Sequence, residues 1–305
     1  VRRVGKTSLL NIVYNETKGL KTWVDGRIVT NPKKEIFSAI FEVIKTGEPK
    51  IFGNIESLNI SAFGIGLGIK PASETLASIE KKIREAKQLT VFIDEAQRMD
   101  RKELADVLSY FYDRFPNIYI IISGSEIGLL EEVLGENDSE HALYGRSITK
   151  IIMKRLDKGK SIEFLESGFQ QTGFKISKEE IKQAVEELDG LIGWLTLYGY
   201  EKAIIKNHDA LNKTKEIASQ IAASELNHFL KKTRNKKLYT SILHNAVGIS
   251  WSELRFQASK ELKKDLNPNL FSYALEKLVK YSFIEKNNGS YQLADPIMTK
   301  ALFLL

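Results

Sequence analysis

Apolar residues come in two rhythms over the first half of the chain. Short unbroken runs, Val91-Phe92-Ile93 and Ile118-Tyr119-Ile120-Ile121-Ile122, read as strands buried on both faces of a parallel sheet. Between them lie segments with helical spacing. One runs from Pro32, suited to a first helical turn, through Ile36, Phe37, Ile40 and Ile44. Others run through Leu76, Ile79 and Ile83, and through Leu104, Leu108 and Phe111. A strand over 22–29 and a last strand over 148–153, after Leu143-Tyr144-Gly145-Arg146, complete an alternation that predicts a parallel sheet with helices on both faces. The glycine-rich stretch 47–73 reads as an irregular or hairpin insertion. Its Gly64-x-Gly66-x-Gly68 has no strand–turn–helix context and is not a dinucleotide fingerprint.

From about residue 157 the strand signals stop. Helices are predicted over 161–169, 177–188, 191–205 and 210–230, the second with a capping box at Ser177 and Glu180 and a terminating Gly190. The character changes again after 231. Three helices (237–247, 250–262, 268–281) lead to two short apolar runs joined by Asn287-Asn288-Gly289, a strong hairpin signal. Three helices and a hairpin predict a winged helix-turn-helix. Its third helix buries Phe271, Ala274, Leu275 and Leu278 and leaves Ser272, Tyr273, Glu276, Lys277 and Lys280 on the other face. The expected parts are an α/β core over 1–156, a helical lid over 157–230 and a winged-helix domain over 231–305.

A chain of 305 residues has room for these parts, and 43% hydrophobic residues supply a core. With zero cysteines, disulfides, thiol catalysis and cysteine-ligated zinc are excluded. No apolar run approaches the roughly 20 residues that span a membrane and no secretory signal stands at the start, so a cytoplasmic protein without a membrane partner is expected. The net charge of +6 is uneven: residues 231–305 carry 13 Lys+Arg against 6 Asp+Glu, and the rest is near neutral. The C-terminal quarter is therefore suited to a polyanionic partner.

The chemistry lies in two motifs. Val1-Arg2-Arg3-Val4-Gly5-Lys6-Thr7-Ser8 matches the end of a G-x-x-x-x-G-K-[ST] phosphate loop, whose first glycine and feeding strand are expected before Val1. Glycine lets backbone N–H groups curl around a phosphate, lysine reaches the terminal phosphates, and the threonine hydroxyl suits Mg²⁺. Taken alone, Gly5-Lys6-Thr7 also reads as a helix cap. The second motif, Thr90-Val91-Phe92-Ile93-Asp94-Glu95-Ala96, delivers two carboxylates to the C-terminal edge of a buried strand, where open α/β sheets bind ligands. One can serve Mg²⁺ and the other polarise a water for attack on a γ-phosphate. In this order the two motifs read as a nucleoside-triphosphate site.

The phosphate loop and Phe92-Ile93-Asp94-Glu95-Ala96-Gln97, with Ile122-Ser123-Gly124-Ser125, Leu143-Tyr144-Gly145-Arg146 and Gly193-Trp194-Leu195, make the chain resemble the archaeal ATPase family, within the STAND group of AAA+ P-loop proteins. The resemblance implies ATP and Mg²⁺ as cofactors, with residues 1–8 around the phosphates, Lys6 on phosphate, Thr7 and Asp94 on the metal, and Glu95 as catalytic base. Ser123 or Ser125 would sense the γ-phosphate. Relatives carry G-G-x-P-G-W-L in the lid; here Ile192 replaces the proline, which touches base recognition and not phosphate chemistry. Arg146 is read either as an arginine finger or as a surface arginine pairing with an acid. Asp25 and Arg27 read as an ion pair sooner than as nucleotide contacts, and Trp194 as lid packing sooner than as an adenine stack. The leading expectation is a slow ATP-hydrolysing regulatory switch that repositions a basic winged helix. The alternatives are a DNA-acting ATPase similar to origin-binding initiators, gripping duplex DNA through Ser272, Tyr273, Lys277, Lys280 and Lys286, and an adaptor docking an acidic protein. Oligomerisation is left open.

Overall fold

The computed structural model describes residues 2–48, 50–52, 76–135 and 138–305. They form two compact units, one drawn from within residues 6–150 and the other from residues 2–5 together with 151–305. In the first unit α1 (Lys6–Glu16) leads to β1 (Leu20–Asp25), α2 (Pro32–Thr46), β2 (Lys50–Phe52), α3 (Leu76–Glu85) and β3 (Leu89–Asp94). Then follow α4 (Arg101–Arg114), β4 (Ile118–Ile122) and α5 (Ile127–Leu134). The four strands pair in parallel in the order β2-β1-β3-β4. All six residues of β3 are buried, because helices cover both faces. Val91 and Ile93 pack with Ile36, Ile40, Leu104 and Phe111. Phe92 points the other way, onto Leu10 and Tyr14 of α1, and stacks on Trp23 of β1.

Three expectations for this half are corrected. β1 stops at Asp25, since Gly26 N–H turns to donate to the Asp94 carbonyl at 2.8 Å and Ile28 N–H closes a turn on Asp25. Within the stretch expected to be an insertion, Lys50–Phe52 adds to the sheet in register with Thr22–Val24. Gly64, Gly66 and Gly68 lie outside the described residues. Residues 148–153 form no strand: Ile151 and Ile152 are 82% and 68% exposed, and no described strand pairs with them. An apolar run becomes a strand only where neighbouring backbone takes its N–H and C=O groups.

In the second unit α6 (Lys158–Thr172), α7 (Lys178–Leu188), α8 (Ile192–Gly199), a π-helical turn Tyr200–Ile204, and α9 (Ala210–Lys231) surround Leu165, Phe169, Ile181, Leu188 and Leu195. The predicted capping box is present, Ser177 Oγ accepting from Glu180 N–H while the Glu180 carboxylate accepts from Ser177 N–H. A second core holds α10 (Lys236–Asn245), β5 (Val247–Ser250), α11 (Trp251–Leu262), α12 (Pro268–Lys280), β6 (Ile284–Asn287), β7 (Ser290–Leu293) and α13 (Met298–Leu302). Phe271, Ala274, Leu275 and Leu278 of α12 are buried in it as expected. Asn288 and Gly289, with φ of 48° and 84°, make the two-residue turn that suits the twist of a hairpin. β5 corrects the sequence reading, in which Val247 ended a helix. It pairs with β7, giving an antiparallel sheet ordered β5-β7-β6. The two cores of this unit are joined by Arg155, which bonds both Asp189 and Glu285, and by Trp194 Nε1, which donates to Asp295 at 2.8 Å. Among the described residues no helix is long and apolar enough to cross a membrane.

Candidate nucleotide site

Alternation along β3 decides which groups meet. Asp94 shares the face of Phe92, and that face is covered by α1. In the first turn of α1, Thr7 Oγ1 donates to Asp94 Oδ2 at 2.8 Å. Ser123, immediately after β4, donates through Oγ to Asp94 Oδ1. Its backbone is fixed there, Ser123 N–H donating to the Ile93 carbonyl and Ala96 N–H to the Ser123 carbonyl. Asp94 is only 1% exposed, and each of its oxygens accepts from one of these two hydroxyls, as buried polar groups require. A hydroxyl and a carboxylate beside a helix N-terminus are hard oxygen donors of the kind Mg²⁺ takes together with phosphate oxygens and water. Thr7 and Asp94 fit that ion.

Glu95 is half-buried and sits in the left-handed region at φ 51°, a conformation that costs an ordinary residue about 1–2 kcal/mol. Its Oε2 accepts from Gln97 Nε2 at 2.6 Å and from Ser125 Oγ at 3.0 Å. Asp25, in register with Asp94, pairs with Arg27 through Nε at 2.9 Å and through a terminal nitrogen at 2.5 Å. The Arg27 bond holds the Asp25 carboxyl below its ordinary range. Arg27 is itself raised, first by Asp25 and further by the fields of Asp94 and Glu95. The ion-pair reading of these two residues is the one observed.

Lys6 opens α1, with Thr7 and Ser8 exposed behind it. The preceding residues belong to the second unit. There Arg2 and Arg3 each donate to one oxygen of Glu225 on α9, at 2.8 and 2.6 Å. The Arg3 guanidinium lies 4.2 Å over the Trp194 ring, and Gly193 N–H donates to the Arg3 carbonyl at 2.9 Å. Val4 is buried in the α6–α9 core, and Arg3 and Gly5 have φ of 61° and 84°. Trp194 is thus committed to packing and to Asp295. Burial pushes the Asp295 carboxyl up, against the Trp194 and Ile297 hydrogen bonds and the charge of Arg3. Ile192, in place of the expected proline, closes on Gly5, where a Cβ would stand 3.2 Å from its Cδ1. Val1 lies outside the described residues.

Arg146 is not brought to the acids. Its guanidinium bonds Asp113 of α4 at 2.6 and 3.0 Å and is raised by that bond. On α12, Ser272 accepts from Trp251 Nε1, Tyr273 is 62% exposed, and Lys277 lies over Phe229 and Tyr239. Lys280 is part-exposed on the same helix, and exposed Lys286 lies over Tyr291 of the hairpin. Sequence reasoning assigned no role to Gln97, Glu225 or Asp295. Only Gln97 carried a signal, as the last residue of the Phe92–Gln97 motif.

With this geometry the comparisons become informative. Residues 1–197 match the profile of a family described as an ATPase domain predominantly from Archaea. The chain belongs to this archaeal ATPase family. The chain is 30% identical to a Walker-type ATPase of Pyrococcus abyssi, over 99% of its own length and 89% of that chain, with a TM-score of 0.78. It shares the fold of the ORC2 protein of Aeropyrum pernix, solved in ADPNP and ADP complexes, at 13% identity, 99% and 84% coverage and a TM-score of 0.59. No curated protein sequence gives a significant match. The chain is thus a nucleotide-binding P-loop ATPase.

Proposed function

We propose that the chain is a Mg²⁺-dependent, STAND-type ATP switch, with an α/β core (1–156), a helical lid (157–230) and a winged-helix domain (231–305) that nucleotide state repositions. The observation that carries this reading is the double bond of Arg2 and Arg3 to Glu225. The residues next to the phosphate-gripping Gly5-Lys6-Thr7 are wired to α9, which feeds directly into the C-terminal helices. Lys6 binds phosphate, Thr7 and Asp94 hold the magnesium, Glu95 takes the proton of the attacking water, and Ser123 or Ser125 reports the γ-phosphate. Bound Mg²⁺ neutralises charge on the phosphates. Amide hydrogen exchange over 210–302 should differ between the ADP-bound chain and the chain with a non-hydrolysable ATP analogue. Identical exchange in the two states would remove the switch.

A second reading rests on α12 and the hairpin. Tyr273, Lys277, Lys280 and Lys286 stand on a segment with a surplus of positive charge, which suits duplex DNA. If so, Lys277→Ala with Lys280→Ala should weaken DNA binding by the full-length chain across all sequences. The salt slope should flatten by about one unit per lost phosphate contact. The measurement is a fluorescence-anisotropy titration at two salt concentrations, with ATP turnover followed in parallel. Unchanged affinity would direct the basic face to an acidic protein.

A further inference from the structure

Glu95 ends a strand on a left-handed residue, with a side chain of three rotatable bonds. Something has to aim it, and the surroundings supply a closed ring of hydrogen bonds. Gln97 Nε2 donates to Glu95 Oε2 at 2.6 Å and to Ser125 Oγ at 3.1 Å, and Ser125 Oγ donates to the same Oε2 at 3.0 Å. Both amide protons of Gln97 are used. The orientation of the amide is set by chemistry, since the reverse would press its oxygen against a carboxylate. Gln97 is held in a 3₁₀ turn, Ala96–Arg98, by Ala96 N–H to the Ser123 carbonyl and Arg98 N–H to the Glu95 carbonyl, each at 2.9 Å.

Two further observations concern the other end of the amide. Gln97 is 6% exposed, and its Oε1 is buried with no hydrogen-bond partner, a costly arrangement for a side chain that only fills space. That oxygen also lies where a Cβ on Gly124 would stand, 2.5 Å away. The strand end Ser123-Gly124-Ser125 therefore supplies one serine to Asp94, another to the Gln97 ring, and between them a residue small enough to admit the amide.

We propose that Gln97 is the positioning residue for Glu95. It holds Oε2 on two donors and so leaves Oε1 to face the water that attacks the terminal phosphate. Gly124 and Ser125 are the seat of that clamp. The inference rests on Glu95 being the base. The clamp acts on the direction of one carboxylate, so its loss should lower kcat and leave ATP affinity alone.

The test uses the full chain and compares Gln97→Leu, Gly124→Ala, Ser125→Ala and Glu95→Gln. Gln97→Leu keeps the volume and removes the donors; it should lower kcat about 10-fold or more, as small misplacements of catalytic groups do, with ATP affinity by calorimetry within about twofold. Gly124→Ala pushes the amide away while leaving both partners chemically intact, and should lower kcat in the same way. If Gln97→Leu lowers the unfolding midpoint, Gly124→Ala carries the test. In the Glu95→Gln background Gln97→Leu should cause no further loss, a coupling that a merely structural role would not show. Independently of turnover, the Gln97 side-chain amide resonance should move in Ser125→Ala. Full turnover in Gln97→Leu and Gly124→Ala, alongside a dead Glu95→Gln, overturns the positioning role alone. Normal turnover in Glu95→Gln removes the base assignment and this role with it.

Discussion

Glu95→Gln should bind ATP normally and lose turnover by about 10²-fold or more. The carboxylate that polarises water matters where charge moves in the transition state and contributes little to holding the ground-state nucleotide. Glutamine keeps the shape and can still meet Gln97 and Ser125, so packing is preserved and the comparison isolates the proton acceptor. Calorimetry with ATP and single-turnover kinetics separate the two effects. Near-normal turnover would shift the base role to Asp94 or to a serine of residues 123–125.

Lys6→Ala should weaken ATP binding by about 30-fold or more, equivalent to about 2 kcal/mol for a lost charge-assisted hydrogen bond. Lys6 is the first residue of α1, where backbone N–H groups and the helix dipole already favour an anion. The lysine adds a full positive charge at the terminal phosphates, the end of the nucleotide that distinguishes ATP from ADP. Its loss should therefore reduce ATP affinity more than ADP affinity. Titrations of both nucleotides against the same preparation check this, and unchanged ATP affinity would remove Lys6 from the site.

The parallel sheet was legible where apolar runs were short and pure. β3 and β4 lie where Val91–Ile93 and Ile118–Ile122 placed them, and Asp94 and Glu95 arrive at a strand end as expected. The helices of the second unit were legible through caps and turns, above all Ser177–Glu180 and Asn288–Gly289. What could not be read was pairing. Residues 50–52 and 247–250 are strands because an edge of β1 or β7 is available, and 148–153 is not a strand although four of its six residues are apolar. Long-range polar partners were equally hidden. Nothing near Arg2 or Arg3 points to Glu225, over two hundred positions away, and nothing near Trp194 points to Asp295. Arg146 stood beside a suggestive motif, yet Asp113 on α4 takes its charge.

The division of the chain between Gly5 and Lys6 bears on how the protein is born. Arg2 and Arg3 are synthesised well before their partners Trp194, Glu225 and Asp295, which lie far along the chain. Residues 6–150 hold their own sheet and core and can collapse as a unit during synthesis, in the usual N-terminal-first order. The bonds of Arg2 and Arg3 to Glu225 form only once α9 has followed. The residues just ahead of Gly5-Lys6-Thr7 are thus fixed only after distant parts of the chain have been made.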